Sequence, residues 1–287
     1  MTFSVLLTDG ASLAVATASC VPAAGGVVAH LRPHVGVAVS QARGEAAIGR
    51  EVLARIGEGQ QARAAVEATV RAVGDADRRQ VGGLALQGTG HVHTGSDCHR
   101  VAAHEQGADF LLCGNLLAGE DVVPAMRRAL EKRRTEGGLL DAALAALWAG
   151  ERAGGDVRGR MSAALRAHGT TLASGGTPLD LDLRVDLSLD PLADLERAVR
   201  VEVDYQTVSA YVAGHLPITS LEHARTVATG LADRPTGASA AVLFCRAVVA
   251  DRLGEVEEGR ALASELAAWR PGPAATRETI ERLWDPG

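Results

Sequence analysis

The order in which strand-like and helix-like patterns follow one another constrains this chain most. Four short β-forming runs, Thr2 to Leu7, Ser12 to Ala18, Gly26 to His30 and Val35 to Ser40, precede any helical pattern. Asp9-Gly10 between the first two predicts a two-residue hairpin, because both residues tolerate positive φ. Two helices are expected next, Glu45 to Ile56 and Gln61 to Val73. Ile48, Val52 and Ile56 share one face of the first. Strands return at Val81 to Leu86, His91 to Thr94 and Asp109 to Cys113. A second helix pair follows, Glu120 to Arg133 and Leu139 to Arg152, stopped by Gly154-Gly155. Ser162 to His168 and Leu179 to Leu187 then read as strands, the latter with apolar residues at every second position. Asp190-Pro191 opens a further helix, with an acidic N-cap and proline in the first helical position. Blocks of strands separated by helix pairs are not a βαβ alternation. They predict an α+β fold, with two antiparallel sheets face to face between helix pairs in a four-layer αββα sandwich.

After Val203 the β pattern stops. Gln206 to Ala213, Ser220 to Leu231, Ala238 to Leu253 and Glu255 to Trp269 read as helices, and Thr219-Ser220-Leu221-Glu222 as a capping box. The 287 residues suggest two domains, placed at 1–203 and 204–287. Gly254 to Pro271 has the glycine-to-proline spacing of one tetratricopeptide-like hairpin, without its aromatic positions.

Charge and composition exclude several functions. A net charge of −6 with no basic block argues against a nucleic-acid partner. No apolar run approaches the roughly 20 residues that span a bilayer, and no charged segment precedes an apolar one at the start. A soluble, cytoplasmic protein without membrane contacts is expected. Cys20, Cys98, Cys113 and Cys245 are scattered and read as reduced thiols. Only one of the 29 basic residues is a lysine, Lys132, in the charged run Glu131-Lys132-Arg133-Arg134. Schiff-base, pyridoxal phosphate, P-loop and Ser–Lys chemistry therefore find no suitable residue. No nucleotide-binding glycine loop or GxSxG elbow occurs, and no cofactor is expected. His91 and His93 would share one face of a strand, as a metal pair or as an exposed edge. No third ligand has diagnostic spacing, so no metal is expected.

Thr2 has the clearest mechanism. Removal of Met1, usual before a small residue, makes Thr2 the N-terminus. Its α-amine, with an ordinary pKa near 8, then lies beside its own hydroxyl as a base. The bland alternative is a strand residue at a chain start.

Residues 2 to about 200 resemble a family of the N-terminal nucleophile (Ntn) hydrolase superfamily catalogued only as a domain of unknown function. The matching runs begin with Thr2-Phe3-Ser4-Val5, Gly36-Val37-Ala38-Val39-Ser40-Gln41 and Arg79-Gln80-Val81-Gly82. Cys98 with His104 and Gly114-Asn115-Leu116-Leu117-Ala118-Gly119 follow, then Ala153 to Ala164 through Gly154-Gly155-Asp156-Val157-Arg158-Gly159-Arg160-Met161-Ser162. Asp182-Leu183-Arg184-Val185-Asp186 and Asp190-Pro191 close the series. The chain departs from the family's usual residues at Cys20, Cys113, Met161, Leu187 and Ser188. The resemblance implies the same αββα sandwich and a default activity of amide-bond hydrolysis. It implies no substrate.

It also implies that Asp156 and Ser162 contact the terminal amine. The Asp156-Val157-Arg158-Gly159-Arg160 run reads three ways without the family: an ion-pair staple, a clamp on a substrate carboxylate, or a device that orients Thr2. Asn115 reads as a turn residue or as a donor to an oxyanion. The expected catalytic residues are Thr2, Asp156, Asn115 and Ser162. Arg158, Arg160, His104 and Gly114 are expected to bind substrate. The expected function is hydrolysis of a small-molecule amide through an acyl-enzyme. The alternative is a non-catalytic or degenerate module for binding or assembly. A homo-oligomer is expected, with the C-terminal helices available for protein contacts.

Overall fold

The computed structural model describes residues 2–136, 138–170, 179–212, 243, 246–247, 249–250 and 253–269. The chain divides into two compact units, Met1–Val199 and Arg200–Gly287.

Among the described residues the first unit contains ten strands. β1 (Thr2–Thr8), β2 (Leu13–Ser19), β7 (Ala103–Gln106), β8 (Phe110–Asn115), β9 (Ser162–Thr170) and β10 (Leu179–Val185) form a six-stranded sheet in the order β10-β9-β2-β1-β8-β7. β3 (Ala29–Arg32), β4 (Gly36–Ala42), β5 (Arg79–Ala85) and β6 (His91–Thr94) form a four-stranded sheet in sequence order. Among the described residues every strand pairing is antiparallel. Leu6, Leu13, Val15 and Leu111 of the first sheet meet Val37, Val39, Leu84 and Val92 of the second in an apolar core. The far face of the four-stranded sheet, through Ala38 and Val81, packs on α2 (Ala46–Gly57) and α3 (Ala62–Ala72). The far face of the six-stranded sheet carries α4 (Val122–Glu136) and α5 (Leu139–Arg152). This is the four-layer αββα sandwich expected from the order of elements.

Two stretches differ from the expected pattern, and one strand was not expected. Asp9-Gly10 lies in a four-residue loop, since Thr8 pairs with Leu13. The Asp9 carboxylate accepts the amides of Ala11 (2.9 Å) and Ser12 (2.6 Å), which stabilises the wider turn. Gly26 to His30 is not one strand. A short helix α1 (Ala24–Val27) precedes β3, and a Cβ at Gly25 would lie 2.5 Å from the Ala164 Cβ. Glycine is what allows α1 to lie against β9. β7 escapes a pattern search because Ala-His-Glu-Gln is a short, polar sheet edge.

The Asp190 carboxylate accepts the Ala193 amide at 3.3 Å, the N-cap expected for α6 (Pro191–Val212). The domain division expected near residue 204 lies within that helix. In the second unit, α7 (Val256–Trp269) follows Gly254, and Leu262 packs with Leu243, Ala247 and Ala250. The expected helix Ser220 to Leu231, its capping box and Cys245 lie outside the described residues. Among the described residues no helix is long and apolar enough to cross a membrane.

Gly83 on β5 sets how closely α2 and α3 approach their sheet. A Cβ there would lie 2.7 Å from Val52 Cγ1 and 3.1 Å from Val66 Cγ2. Alanine recovers about 0.5–1 kcal/mol of backbone entropy relative to glycine in a strand. Overpacking a well-packed core costs about 1–3 kcal/mol, so the clash should win. Gly83→Ala is expected to lower the urea unfolding midpoint.

Candidate active site

Thr2 begins β1, the strand beside which β2 and β8 pair. It is directly opposite Ser19 on one side and Asn115 on the other, and Ser19 is opposite Ser162. Directly paired residues carry their side chains on one face, with Cβ atoms about 4.5–5.5 Å apart. Ser162, Ser19, Thr2 and Asn115 therefore form a polar row across four strands at one end of the sheet. Leu6 belongs to the core between the sheets, and the two-residue period puts Ser4 and Thr2 on that same face. Thr2 is only 3% exposed, and its Oγ1 lies 3.0 Å from Ser19 Oγ.

Below this row lies a buried network of hydroxyls and amides. Ser4 donates to Gln41 Oε1 at 2.7 Å. Gln41 Nε2 donates to Gln80 Oε1 at 2.7 Å and lies 3.3 Å from the Thr2 carbonyl oxygen. Gln80 Oε1 also accepts from Asn115 Nδ2 at 3.2 Å. Gln80 Nε2 reaches Thr94 Oγ1 (2.9 Å) and the carbonyls of Gly114 (3.1 Å) and Ala103 (3.2 Å). Thr94 Oγ1 is 2.9 Å from His104 Nδ1. When Thr94 accepts from Gln80, its own proton goes to Nδ1, which suits a neutral imidazole. Burial lowers the His104 pKa in the same direction, with a smaller effect from neighbouring His93. Burial alone pushes the Cys113 thiol up to about 12, so it stays neutral beside Gln41.

Asp156 lies at the same end. Its carboxylate is fully buried and takes the Arg158 amide at 2.8 Å and the Cys20 amide at 3.3 Å. Gly155 (φ 51°) and Gly159 (φ 86°) give its loop the left-handed backbone that side chains disfavour. Ser162 donates to the Val21 carbonyl at 2.6 Å and accepts the Ala24 amide at 3.2 Å. Asp156 and Ser162 thus grip the turn after Ser19 from two sides. Their hydrogen bonds go to that turn, and it is Ser19 that touches the Thr2 hydroxyl.

The remaining expected residues are spread further. Arg158 Nε lies 3.5 Å from Asp156 Oδ1. Arg160 is held by Glu151 and, at 3.0 Å, by Asp190, so it serves as an ion-pair staple from α5 to the start of α6. His104, on the edge strand β7, reaches the row only through Thr94 and Gln80. Gly114 pairs with Phe3 and offers its carbonyl to Gln80. His91 and His93 lie on β6, and no metal-holding group of three or more His, Cys, Asp or Glu occurs among the described residues. Sequence reasoning assigned no role to Ser19, Gln41 or Gln80. Their signal was present: polar side chains in runs otherwise built of Val, Ala and Gly.

The sequence profile of the family of unknown function DUF1028 matches residues 2–195. The chain belongs to that family. Among solved structures it is similar to the crystal structure of protein SPO2555 from Silicibacter pomeroyi, of the same family. Identity is 27% over 70% of this chain and 85% of that one, with a TM-score of 0.62. It also matches Anbu, the ancestral β-subunit, from Yersinia bercovieri at 13% identity, over 76% of this chain and 99% of that one, with a TM-score of 0.35. Anbu from Hyphomicrobium sp. strain MC1 matches at 15% identity, over 73% and 97%, with a TM-score of 0.34. No curated protein matches. The family resemblance expected for residues 2 to about 200 therefore holds.

Gln80 joins both sheets to the row. Gln80→Met keeps its length and removes its amide, leaving Gln41 and Asn115 without their shared acceptor. Each unsatisfied buried group costs about 1–3 kcal/mol, so a loss of about 2–4 kcal/mol is expected in urea unfolding.

Proposed function

We propose that the chain is an amide-bond hydrolase in which Thr2, freed by removal of Met1, is the nucleophile. The observation that carries this reading is the placement of the Thr2 hydroxyl at the head of β1, 3.0 Å from Ser19 Oγ and directly opposite Asn115.

The chemistry needs a base for a hydroxyl whose own pKa is far above neutrality. The α-amine of Thr2 is covalently held within hydrogen-bond reach, directly or through one water. It takes the Oγ1 proton as Oγ1 attacks the carbonyl carbon. One hydrogen of the Asn115 amide goes to Gln80, and the other faces the tetrahedral oxyanion. The tetrahedral intermediate expels the amine, which leaves with the proton held by the α-ammonium, and an ester to Thr2 remains. Water then attacks the ester while the α-amine takes its proton. The carboxylic acid departs and the Thr2 hydroxyl is restored. Ser19 orients Oγ1. Asp156 and Ser162 are positioning residues that hold the Ser19 turn.

The reading predicts loss of Met1 in the intact mass of the native protein, and retention of Met1 would leave a binding or assembly module. Activity should rise with pH through about 7–8, because the amine acts unprotonated. In a screen of small amides, Thr2→Ala should abolish turnover and Thr2→Ser should keep part of it. Asn115→Ala should lower kcat by about 10²–10³-fold. Full turnover by purified Thr2→Ala would sink the assignment.

A further inference from the structure

A cavity of about 440 Å³ opens among residues 94–103 and Glu120, lined by Thr94, Ser96, Cys98, Arg100 and Ala103 among others. That volume lies within the usual range for small-molecule pockets, about 300–1,000 Å³. We propose that this cavity binds a carboxylate carried by the amide substrate, with Arg100 as the cation that recognises it. The identity of the ligand as substrate rests on the Thr2 reading, whereas the binding itself rests on the cavity.

The loop after β6 is tied to the Thr2 end of the sandwich. The Leu116 amide donates to the His99 carbonyl, and the Leu117 amide to that of Val101, both at 2.9 Å. Residues 116 and 117 directly follow Asn115, the cross-strand partner of Thr2. From the other sheet, Gln80 Nε2 bonds Thr94 Oγ1 and the Ala103 carbonyl, both part of the cavity wall. The cavity thus lies beyond Asn115 along the polar row.

Arg79, Arg127, Arg134 and Arg160 all sit on carboxylates. Arg100 has no ion-pair partner among the described residues, in a chain whose net charge is −6. Its guanidinium carries five donors in a planar fork that matches a carboxylate. Ser96 adds a hydroxyl, and burial raises the Cys98 thiol pKa, so it contributes no negative charge. Glu120 in the same lining balances the charge of Arg100, so it weakens the hold on any anion and disfavours a dianion such as phosphate more than a monoanionic carboxylate. An amide of an amino acid with a free carboxylate fits this pattern.

The test uses the Thr2→Ala protein, so that binding is read without turnover. N-acetylglycine, its uncharged N-methylamide and inorganic phosphate are titrated by NMR. N-acetylglycine should bind about two- to fivefold more tightly than the N-methylamide, as expected for one exposed ion pair. Arg100→Gln should erase that preference and Glu120→Gln should increase it. Both residues are exposed, so an unchanged unfolding midpoint separates loss of binding from loss of fold. Equal affinity for the two glycine derivatives, indifference to Arg100→Gln, tightest binding of phosphate, or no binding at all would overturn the pocket. A carboxylate preference in a protein that hydrolyses nothing would leave the pocket standing and sink the Thr2 reading. Hydrolysis indifferent to Arg100 would do the reverse.

Discussion

Gln41 and Gln80 hold the two sheets together where the apolar core gives out. Along the inner face of β1 the side chains change from Leu6 to Ser4 to Thr2, so the sandwich is oily at one end and hydrogen-bonded at the other. Buried amides are costly unless they are paired. Here Gln41 takes its proton from Ser4 and gives its own to Gln80, and Gln80 takes a second from Asn115. The chain of partners is closed only in one strand register. A slip of β1 by one residue would turn Thr2 and Ser4 to the helix side and Phe3 and Val5 into the network. The polar row therefore depends on the same glutamines that make its end of the sandwich expensive to misfold.

The layers were legible because their signals are regular. Paired helices with apolar residues at helical spacing, and strands in blocks, admit few arrangements, and Ile48, Val52 and Ile56 do face the four-stranded sheet. What was not legible depends on tertiary contact. α1 follows from Gly25 lying against Ala164, and β7 from an edge position that needs no apolar alternation. At the site, Thr2 and Asn115 announce themselves at a chain start and a strand end. Ser19, Gln41 and Gln80 do not, because single polar residues in strands acquire meaning only from the residue opposite. The Asp156–Arg160 run shows the same limit. Its carboxylate binds backbone amides, while its second arginine joins two helices, and no spacing rule separates those fates.

Positive charge in this chain is carried almost entirely by arginine, and much of it is spent on architecture. Arg79 is nearly buried yet stays charged. Burial opposes that charge, and hydrogen bonds to Asp75 and Glu45 more than offset it. Arg134 holds the Asp109 carboxyl below its usual range, and Arg160 does the same for Asp190. The three carboxylates, Asp75 included, are depressed in the fold, so their contribution is complete above the ordinary carboxylate pKa. It is lost only as the pH falls through that range toward the lower folded values. Near neutral pH these ion pairs are unaffected, and a pH response there must come from histidines or a terminal amine.

That separation bears on the acid–base logic of Thr2. From Thr2 to His104 the network consists of hydroxyls, amides, a neutral thiol and an imidazole that burial keeps neutral. Asp156 is a nearby carboxylate, and both of its oxygens accept backbone amides of the turn after Ser19 and of its own loop, so they are turned away from the Thr2 hydroxyl. Ser19 is no more basic than the hydroxyl it touches. His104 lies three side chains away, past Gln41, Gln80 and Thr94, and an amide passes no proton without tautomerising. On the proposed reading the nucleophile would bring its own base, because a Thr2 freed of Met1 carries an α-amine beside its hydroxyl.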